Sequence, residues 1–230
     1  MVKIAVIDDS LLWQQAIKRK LEIFLPKDYG CIVTVTDGLA FLLYCSKTKL
    51  LPDIALMDID MPRMDGVSLT DFLTDNYPGI KVIALSCYSD DKIVEDMFAG
   101  GAWAFVCKVG NMPFLEDAIK CVSSNEIFID PRIAFDISLR TKLMQLRKVD
   151  KNTLCGLSLT YKEKILLSLN ASEASVKEMA EILCISDKTI EKHIQNISQK
   201  MNVSSRKSLA IIAIRKGLVR IAHLFSLKEL

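Results

Sequence analysis

Short apolar runs rich in β-branched residues alternate with stretches of helical periodicity throughout the first 125 residues. The apolar runs predict strands at Lys3–Ile7, Cys31–Thr36, Asp53–Met57, Lys81–Leu85 and Ala104–Val106. The stretches between them predict helices at about Ser10–Phe24, Gly38–Ser46, Gly66–Asn76, Asp90–Ala99 and Pro113–Ser123. Because each parallel crossover must pass over a face of the sheet, five such units predict an α/β fold with a five-stranded, doubly wound parallel sheet.

The last third of the chain has a different pattern. Residues 157–220 show no strand-like alternation, and serine or threonine residues suited to helix N-caps precede each helical run. These caps are Ser158 or Thr160, Ser175, Ser186, and Ser204 or Ser205. The intervening sequence DPRIAFDISLRTKLMQLRKVDKN predicts a linker helix with Pro131 in its first turn. We therefore predict an α/β domain at residues 1–125, a linker with a helix at 126–153, and a small all-helical domain at 154–230.

The two predicted domains differ in charge. Residues 1–150 contain 17 Lys and Arg against 21 Asp and Glu, whereas residues 151–230 contain 13 against 7. A basic second domain favours a polyanionic partner, and an acidic first domain favours a metal or phosphoryl site. The chain has no long apolar stretch, so secretion and membrane insertion are disfavoured. Its seven cysteines form no CxxC pair and are interpreted as buried, reduced thiols of a cytoplasmic protein.

Charged and hydroxyl side chains follow the predicted strands at one edge of the sheet. In an open parallel sheet, functional groups collect beyond the carboxyl ends of the strands. The residues at those ends are Asp8, Asp9, Asp58, Ser86 and Lys108. Each alone is also typical of a helix cap or a solvated loop, but together they favour a site. Three carboxylates repel one another unless a cation lies among them, and oxygen ligands suit Mg²⁺, so the pattern predicts a magnesium site.

Such a site is suited to phosphoryl transfer, because a metal ion and a lysine neutralise the phosphoryl oxygens while a carboxylate attacks in line. Asp58 is the candidate nucleophile and therefore the candidate phosphoacceptor. The candidate metal ligands are Asp8, Asp9, Asp58 and the backbone carbonyl of Asp60. Two further side chains, Lys108 and Ser86, are expected to contact the phosphoryl oxygens.

Four motifs of the first domain resemble the receiver domain of two-component response regulators, which has a flavodoxin-like fold. They are VIDDS on the first strand, LMDIDMPRMDG after the third, IALSCYSD after the fourth and GGAWAFVCK around the fifth. The resemblance implies that a sensor histidine kinase or a small phosphodonor phosphorylates Asp58. It also implies that Ser86 turns inward and that Phe105, the switch aromatic, moves from a solvent-facing to a buried position. Lys108 is followed by Val109, whereas many receivers have proline there, so the geometry of this loop is left open.

The sequence CISDKTIEKHIQNISQKM predicts an amphipathic helix. Its apolar residues recur at helical spacing from Ile190 to Met201, and Lys188, Glu191, Lys192 and Gln195 form the opposite face. The preceding VKEMAEILCI predicts a shorter helix joined to it by a tight turn. This pair predicts a helix-turn-helix, whose second helix can enter the major groove of DNA.

The segment from SLTYKEKILLSL to NVSSRKSLA resembles the LuxR-type DNA-binding domain, and the whole chain resembles a response regulator of the NarL/FixJ type. The resemblance implies double-stranded DNA as a partner and a homodimer when the protein is phosphorylated or DNA-bound. It places Lys188, Glu191, Lys192 and Gln195 towards DNA, and it assigns mainly phosphate contacts to Thr189, Lys200, Arg206 and Lys207. Glu191 departs from the family's usual lysine and could accept from cytosine N4. The glycine that the family usually has before the second helix of this domain is missing from NASEASV, so a different turn is expected there.

Two other functions fit parts of the sequence. DIDMP after a strand also resembles the start of haloacid-dehalogenase-type phosphatases, but that family has no aspartate pair on its first strand. A receiver whose helical domain binds a protein instead of DNA is the closer alternative, because Glu191 would repel phosphates. The sequence favours a phosphorylation-dependent, DNA-binding transcriptional regulator that is not an enzyme and shows at most slow self-dephosphorylation.

Overall fold

A parallel β-sheet forms the centre of the first domain. The structure, a computed structural model, describes residues 1–24, 29–88, 90–136, 138–145, 159–215 and 218–219. The strands are β1 Val2–Ile7, β2 Tyr29–Val35, β3 Ile54–Asp58, β4 Lys81–Ser86, β5 Ala104–Cys107 and β6 Phe128–Ile129, in the order β2-β1-β3-β4-β5-β6. All neighbouring strands pair in parallel. The predicted doubly wound sheet is confirmed, with a sixth strand that is too short to give an alternating pattern in the sequence.

Five helices cover the two faces of this sheet: α1 Leu11–Phe24, α2 Gly38–Lys47, α3 Gly66–Asn76, α4 Asp91–Gly100 and α5 Leu115–Ser123. Alternate residues of a strand point to opposite faces, so β1 supplies Ile4 and Val6 to one core and Ala5 and Ile7 to the other. The first core is closed by α1 and α5, and the second by α2, α3 and α4. Burial on both faces explains why the strands are apolar.

The linker begins as part of the first domain. After β6, Pro131 and Arg132 lie in a turn, and the described helical residues of the linker are 139–145, here called α6. The prediction of Pro131 in the first helical turn is therefore wrong. The reason is tertiary: Phe135 stacks on Phe98 with ring centroids 5.1 Å apart, and Asp130 and Arg132 bond to β5. Ile137 and residues 146–158 lie outside the described residues.

The second domain is helical, as predicted. Its helices are α7 Tyr161–Ala171, α8 Val176–Leu183, α9 Asp187–Met201 and α10 Arg206–Arg215. Thr160 and Ser175 each form a capping box with the glutamate three residues later, and Ser186 caps α9. Ser205 accepts a hydrogen bond from the amide of Ser208 at 3.1 Å. The predicted caps are confirmed at these positions, whereas Ser158 lies outside the described residues.

The two domains touch through α8 and α2, a helix of the first domain. Lys47 of α2 lies 2.7 Å from Glu181 of α8. Arg63, in the loop between β3 and α3, forms an ion pair with Glu178 and lies 3.9 Å from Asp37. Exposed ion pairs are individually weak. The first helix of the helix-turn-helix therefore lies against α2 and the loop that follows Asp58, and the buried apolar cluster of the first domain continues into α8 at Met179 and Ile182.

Two further predictions concern thiols and membranes. The described cysteines are free thiols, and the prediction that they are buried is confirmed for Cys45 and Cys107. Cys31 and Cys121 are half-buried, and the prediction is wrong for Cys87 and Cys184, which are exposed at the ends of secondary-structure elements. Cys155 lies outside the described residues. Within the described ranges, we find no helix with the length and apolar character needed to span a bilayer.

Candidate functional site

A cavity of about 230 Å³ lies at the carboxyl ends of the strands, where the site is predicted. Asp8 follows β1, Asp58 and Ser86 are the last residues of β3 and β4, and Lys108 follows β5. The walls include the predicted residues Asp9, Asp58, Asp60, Ser86 and Lys108. The topology therefore brings together residues that are up to one hundred positions apart in the sequence.

Lys108 is the centre of this cluster. Its side chain is 2% exposed, and its Nζ lies 2.6 Å from Oδ2 of Asp8 and 2.9 Å from Oδ1 of Asp58. The Lys108 amide donates to the Ser86 carbonyl at 2.8 Å, which ties the end of β5 to the end of β4. The Lys108–Val109 peptide bond is trans. Both carboxylates are within hydrogen-bond distance of the buried ammonium, and these contacts offset its removal from water.

The carboxylates outnumber the ammonium. Asp8, Asp9 and Asp58 each offer a ligand atom within 4.8 Å of the others. Burial raises the pKa of Asp58, Lys108 lowers it and Asp8 raises it again, with a net rise to about 6. Ionised Asp58 is therefore disfavoured by its surroundings, and a bound cation would relieve the repulsion. Three hard oxygen donors fit a divalent ion such as Mg²⁺.

The sequence MDG positions Asp58 by shaping the turn that follows it. The amide of Ile59 donates to Oδ1 of Asp58 at 2.9 Å, and the amide of Gly66 donates to the Ile59 carbonyl at 2.9 Å. A Cβ at Gly66 would overlap the Asp58 carbonyl oxygen, so the turn requires glycine there. Asp65 caps α3 by accepting from the amide of Ser68. The turn thereby fixes the carboxylate at the mouth of the cavity.

The two predicted switch residues are both buried. Ser86 is 4% exposed, and its hydroxyl oxygen accepts from the amide of Tyr88 at 3.0 Å. Phe105 is fully buried in the core that α2, α3 and α4 close. The structure thus shows the ring of Phe105 in the buried position, and its predicted movement stays a prediction.

The polar face of α9 is exposed, in contrast to this site. Lys188, Glu191, Lys192 and Gln195 are exposed, and the opposite stripe, which includes Ile190, Ile194 and Ile197, is buried. The turn between α8 and α9 passes through Cys184, which has a left-handed backbone with a φ of 53°. The helix-turn-helix is therefore formed with its charged stripe open to solvent.

Two family models cover the two domains. Residues 4–120 match the response regulator receiver domain. Residues 157–213 match the luxR family of bacterial regulatory proteins. The chain belongs to the response regulators of the NarL/FixJ type. The predicted family and domain composition are therefore confirmed.

Relatives of this response regulator are similar over nearly its whole length. It is 28% identical to the transcriptional regulatory protein DegU of Brevibacillus brevis over 230 residues, which cover 96% of each chain. It is 31% identical to the transcriptional regulatory protein LiaR of Bacillus subtilis (strain 168), over 95% of this chain and 100% of the relative. A solved structure of RcsB from Salmonella enterica serovar Typhimurium, bound to promoter P1flhDC in the presence of phosphomimetic BeF3⁻, shares the fold. Its TM-score is 0.52 at 21% identity, covering 91% of this chain and 96% of that one.

The other predicted DNA contacts of this response regulator differ in their surroundings. Lys207 is exposed. The Nζ of Lys200 lies 2.8 Å from Oε2 of Glu163 in the α7 capping box. Arg206 donates to Oδ1 of Asn170 at 2.8 Å and to the Ala174 carbonyl at 2.7 Å. In this structure Lys200 and Arg206 hold the helices together, and their contact with phosphates stays a prediction, as does that of Thr189.

The structure also supplies residues that the sequence interpretation missed. The ring of Trp13 lies 5.4 Å from the Lys108 Nζ, a cation–π arrangement at the cavity wall. Gln14 is 7% exposed, and its Nε2 donates to the carbonyls of Asp8 at 2.7 Å and Val35 at 3.1 Å. Gln14 lies three positions before Ile17 and seven before Leu21, which places it on the buried face of α1. A polar residue at this spacing is the sequence signal that could have revealed its role.

In the NASEASV turn, a residue other than glycine adopts a left-handed backbone. Glu173 adopts a left-handed backbone with a φ of 59° between α7 and α8. A residue with a Cβ is strained there by about 1 kcal/mol relative to glycine. The amide of Ala174 donates to the Leu169 carbonyl at 3.1 Å and closes α7.

Proposed function

We propose that this DNA-binding response regulator is switched by a phosphoryl group that Asp58 accepts while Mg²⁺ is bound beside it. One observation carries the proposal: the buried ammonium of Lys108 lies between the carboxylates of Asp8 and Asp58 at the carboxyl edge of the sheet. A site with three carboxylates, one ammonium and one hydroxyl is suited to a phosphoryl group and its counterion.

The residues divide the chemistry among them. A carboxylate oxygen of Asp58 attacks the phosphorus in line, an O–P bond forms, and the bond to the leaving group breaks with its electron pair. Lys108 and Ser86 meet the phosphoryl oxygens as they approach. Mg²⁺, when held by Asp8, Asp9, Asp58 and the carbonyl of Asp60, supplies positive charge against the same oxygens. Asp58 is thereby consumed once per event, so we propose a phosphoacceptor, with at most slow self-dephosphorylation, and not an enzyme.

We propose a sensor histidine kinase, or a small phosphodonor, as the source of the phosphoryl group. The surroundings of the cavity support a protein donor. Leu11 and Leu12, which follow the cavity residue Ser10, are 65% and 79% exposed. Val109, next to Lys108, is 58% exposed. Exposed apolar side chains around a polar site are typical of a surface that binds another protein.

We propose that α9 enters the major groove and that a homodimer reads two half-sites of double-stranded DNA. The exposed stripe of Lys188, Glu191, Lys192 and Gln195 supports this orientation. Glu191 can be accommodated if it accepts from cytosine N4. Phosphorylation would shift a pre-existing equilibrium in how the domains are arranged or paired. The ion pair between Arg63, in the loop after Asp58, and Glu178 of α8 supports such a coupling.

The phosphoacceptor is tested by labelling with acetyl phosphate and Mg²⁺, followed by intact mass measurement. We expect the wild type to gain one phosphoryl group and Asp58→Asn to gain none. Asp60→Asn is the matched control, since it removes a nearby carboxylate but keeps the backbone carbonyl that is the proposed ligand. Full labelling of Asp58→Asn would show that the nucleophile is a different residue.

The DNA partner is tested by selecting bound sequences from random duplex DNA with and without beryllium fluoride. We expect a paired motif to be enriched and its affinity to fall steeply with added salt. If no duplex is enriched in either state, the alternative of a helical domain that binds protein is favoured.

A further inference from the structure

Side chains of the linker continue the hydrogen bonding of the sheet where β6 ends. β6 pairs with β5 only at Ala104 and Phe105, and the amide of Asp130 then donates to the Phe105 carbonyl at 2.9 Å. Beyond this point the chain turns away at Pro131. The Oδ2 atom of Asp130 instead accepts from the amide of Cys107 at 3.1 Å. A carboxylate thus takes the place that a strand carbonyl would occupy.

Arg132 takes the place of the missing strand donors. Its Nη2 donates to the Cys107 carbonyl at 3.3 Å, and its Nη1 donates to the Val109 carbonyl at 3.1 Å. The same guanidinium grips Asp130 with two hydrogen bonds of 2.8 and 2.6 Å. Asp130 and Arg132, here called the clasp, therefore hold three backbone groups on the two sides of Lys108.

The two side chains of the clasp stabilise each other. The Asp130 side chain is fully buried. A buried carboxylate is costly unless it is paired, and a two-point bond to arginine has a fixed direction. The Arg132 guanidinium also lies 5.4 Å from the ring of Phe114, which leads into α5. The clasp thus joins the linker, the end of β5 and the start of α5 around one residue, Lys108.

We propose that the clasp is a positioning device for Lys108, an inference that rests on the proposed role of Asp58 as phosphoacceptor. The Lys108 ammonium must meet a phosphoryl oxygen as the bond to Asp58 forms, and its reach depends on where the backbone of Cys107 and Val109 lies. Since the clasp residues belong to the linker, movement of Lys108 towards a phosphoryl group also acts on the segment that leads to the DNA-binding domain.

Arg140 provides a matched control. It is also a linker arginine, and it donates to the carbonyls of Ala102 at 2.8 Å and Gly101 at 3.2 Å while lying 5.1 Å from the ring of Trp103. Its contacts are at the opposite end of β5 from Lys108. Loss of Arg140 therefore loosens the linker without releasing the Lys108 loop.

The test compares Arg132→Ala, Arg132→Lys and Arg140→Ala in a Trp103→Phe background, where Trp13 beside Lys108 is the remaining tryptophan. Three quantities are measured: the rate of Asp58 labelling by acetyl phosphate at saturating Mg²⁺, the Mg²⁺ affinity from Trp13 fluorescence, and the melting temperature. We expect Arg132→Ala to lower the labelling rate about tenfold or more, because Lys108 is displaced by a fraction of an ångström. Its Mg²⁺ affinity should stay close to that of the wild type, since the three carboxylates that would hold the ion remain.

Arg132→Lys keeps the positive charge but loses the planar guanidinium that makes two hydrogen bonds to Asp130. Its labelling rate should therefore lie between those of the wild type and Arg132→Ala. It also carries the test if the alanine variant fails to fold. Arg140→Ala should label at the wild-type rate. Equal labelling rates in the Arg132 and Arg140 variants would overturn the positioning role, as would a parallel loss of Mg²⁺ affinity. A wild type that is not labelled, or an Asp58→Asn variant that is, would overturn the phosphoacceptor assignment itself and the clasp with it.

Discussion

Lys108 beside the receiver site and Lys192 on α9 carry the same ammonium group in opposite environments. Lys108 is 2% exposed and lies within 2.9 Å of two carboxylates. Lys192 is exposed on a helix face with Lys188, Glu191 and Gln195. The first charge is part of the folded structure, because its partners are supplied by the same chain. The second is available to a partner from outside.

The difference determines what each region can do. Charges inside a protein interact strongly and are little screened, so the fixed positions of Lys108 and the carboxylates determine which charged groups the receiver site can accept. Salt at 0.1 M largely screens the interaction of exposed charges that are more than about 10 Å apart, so binding by α9 depends on close approach to the dense charge of a polyanion. Replacing one lysine in each region therefore separates the two functions.

The largest effect is expected from Lys108→Ala. Loss of the buried ammonium should lower the rate of Asp58 labelling roughly 100- to 1,000-fold at saturating Mg²⁺, as for other groups that stabilise transition-state charge. Lys188→Ala is the control from the other region and should label at the wild-type rate. The rates are measured with acetyl phosphate by quenched-flow mass measurement. Similar labelling rates in the two variants would show that Lys108 does not assist phosphoryl transfer to Asp58.

The reverse separation is expected for DNA binding. Lys188→Ala and Lys192→Ala should each weaken binding to the selected duplex by about 1–3 kcal/mol if they contact bases. If they meet phosphates instead, the slope of log K against log salt should fall by about 0.9 for each phosphate that is no longer neutralised. Lys177→Ala, which changes an exposed lysine of α8, serves as the control. Titrations by fluorescence anisotropy at several salt concentrations measure both quantities, and unchanged binding in both variants would remove α9 from the interface.

The metal-free receiver site should lower stability in a pH-dependent way. Burial raises the pKa of Asp58 from 3.8 to about 6, so folding favours the protonated carboxyl. The stability that the protonated carboxyl contributes is fully present below pH 3.8 and is lost as the pH rises through 6. In chelator at pH 8, Asp58→Asn should therefore be more stable than the wild type by on the order of 1–3 kcal/mol.

Urea unfolding at pH values from 8 to 4 measures this difference. It should shrink as the pH falls and the wild-type carboxyl becomes protonated. Mg²⁺ at pH 8 should also shrink it, because the cation compensates the ionised carboxylate. If the difference in free energy of unfolding between Asp58→Asn and the wild type is the same at every pH, ionisation of Asp58 does not destabilise the protein.

The smallest effect is expected where the two regions meet. A double-mutant cycle of Arg63→Ala and Glu178→Ala should give a coupling of about 0.2–1 kcal/mol at pH 7, since both side chains are partly exposed. Burial opposes ionisation of Glu178, but hydrogen bonds from Arg63 and Ser175 outweigh it and lower its pKa to about 2. The coupling should therefore be present above pH 4.5 and be lost as the pH falls towards 2. A coupling of zero at pH 7 would leave this contact without a role in holding the domains together.

The predicted parts and the missed parts differ in physical origin. Asp8, Asp58 and Lys108 were predicted because strand periodicity and the topology of parallel sheets place strand ends together, whatever the details of packing. The caps Thr160, Ser175 and Ser186 were predicted because a cap is local.

The missed features depend on contacts between distant residues. β6 has two residues and no pattern, and its place beside β5 is fixed by the Asp130–Arg132 clasp. The pairing of Arg63 with Glu178, 115 positions away, leaves no trace in local sequence. Pro131 was placed in a helix because its propensity suits a first turn, and tertiary contacts prevailed.

We propose that occupation of the buried receiver site alters DNA binding by the exposed face of α9. The most direct measurement is the affinity for the selected duplex with and without beryllium fluoride and Mg²⁺, for the wild type and for Asp58→Asn. We expect the affinity to change by about fivefold or more in the wild type and not at all in Asp58→Asn, since coupling between sites is a difference in binding free energy. An affinity that is the same in both states of the wild type, or that changes equally in Asp58→Asn, would contradict it.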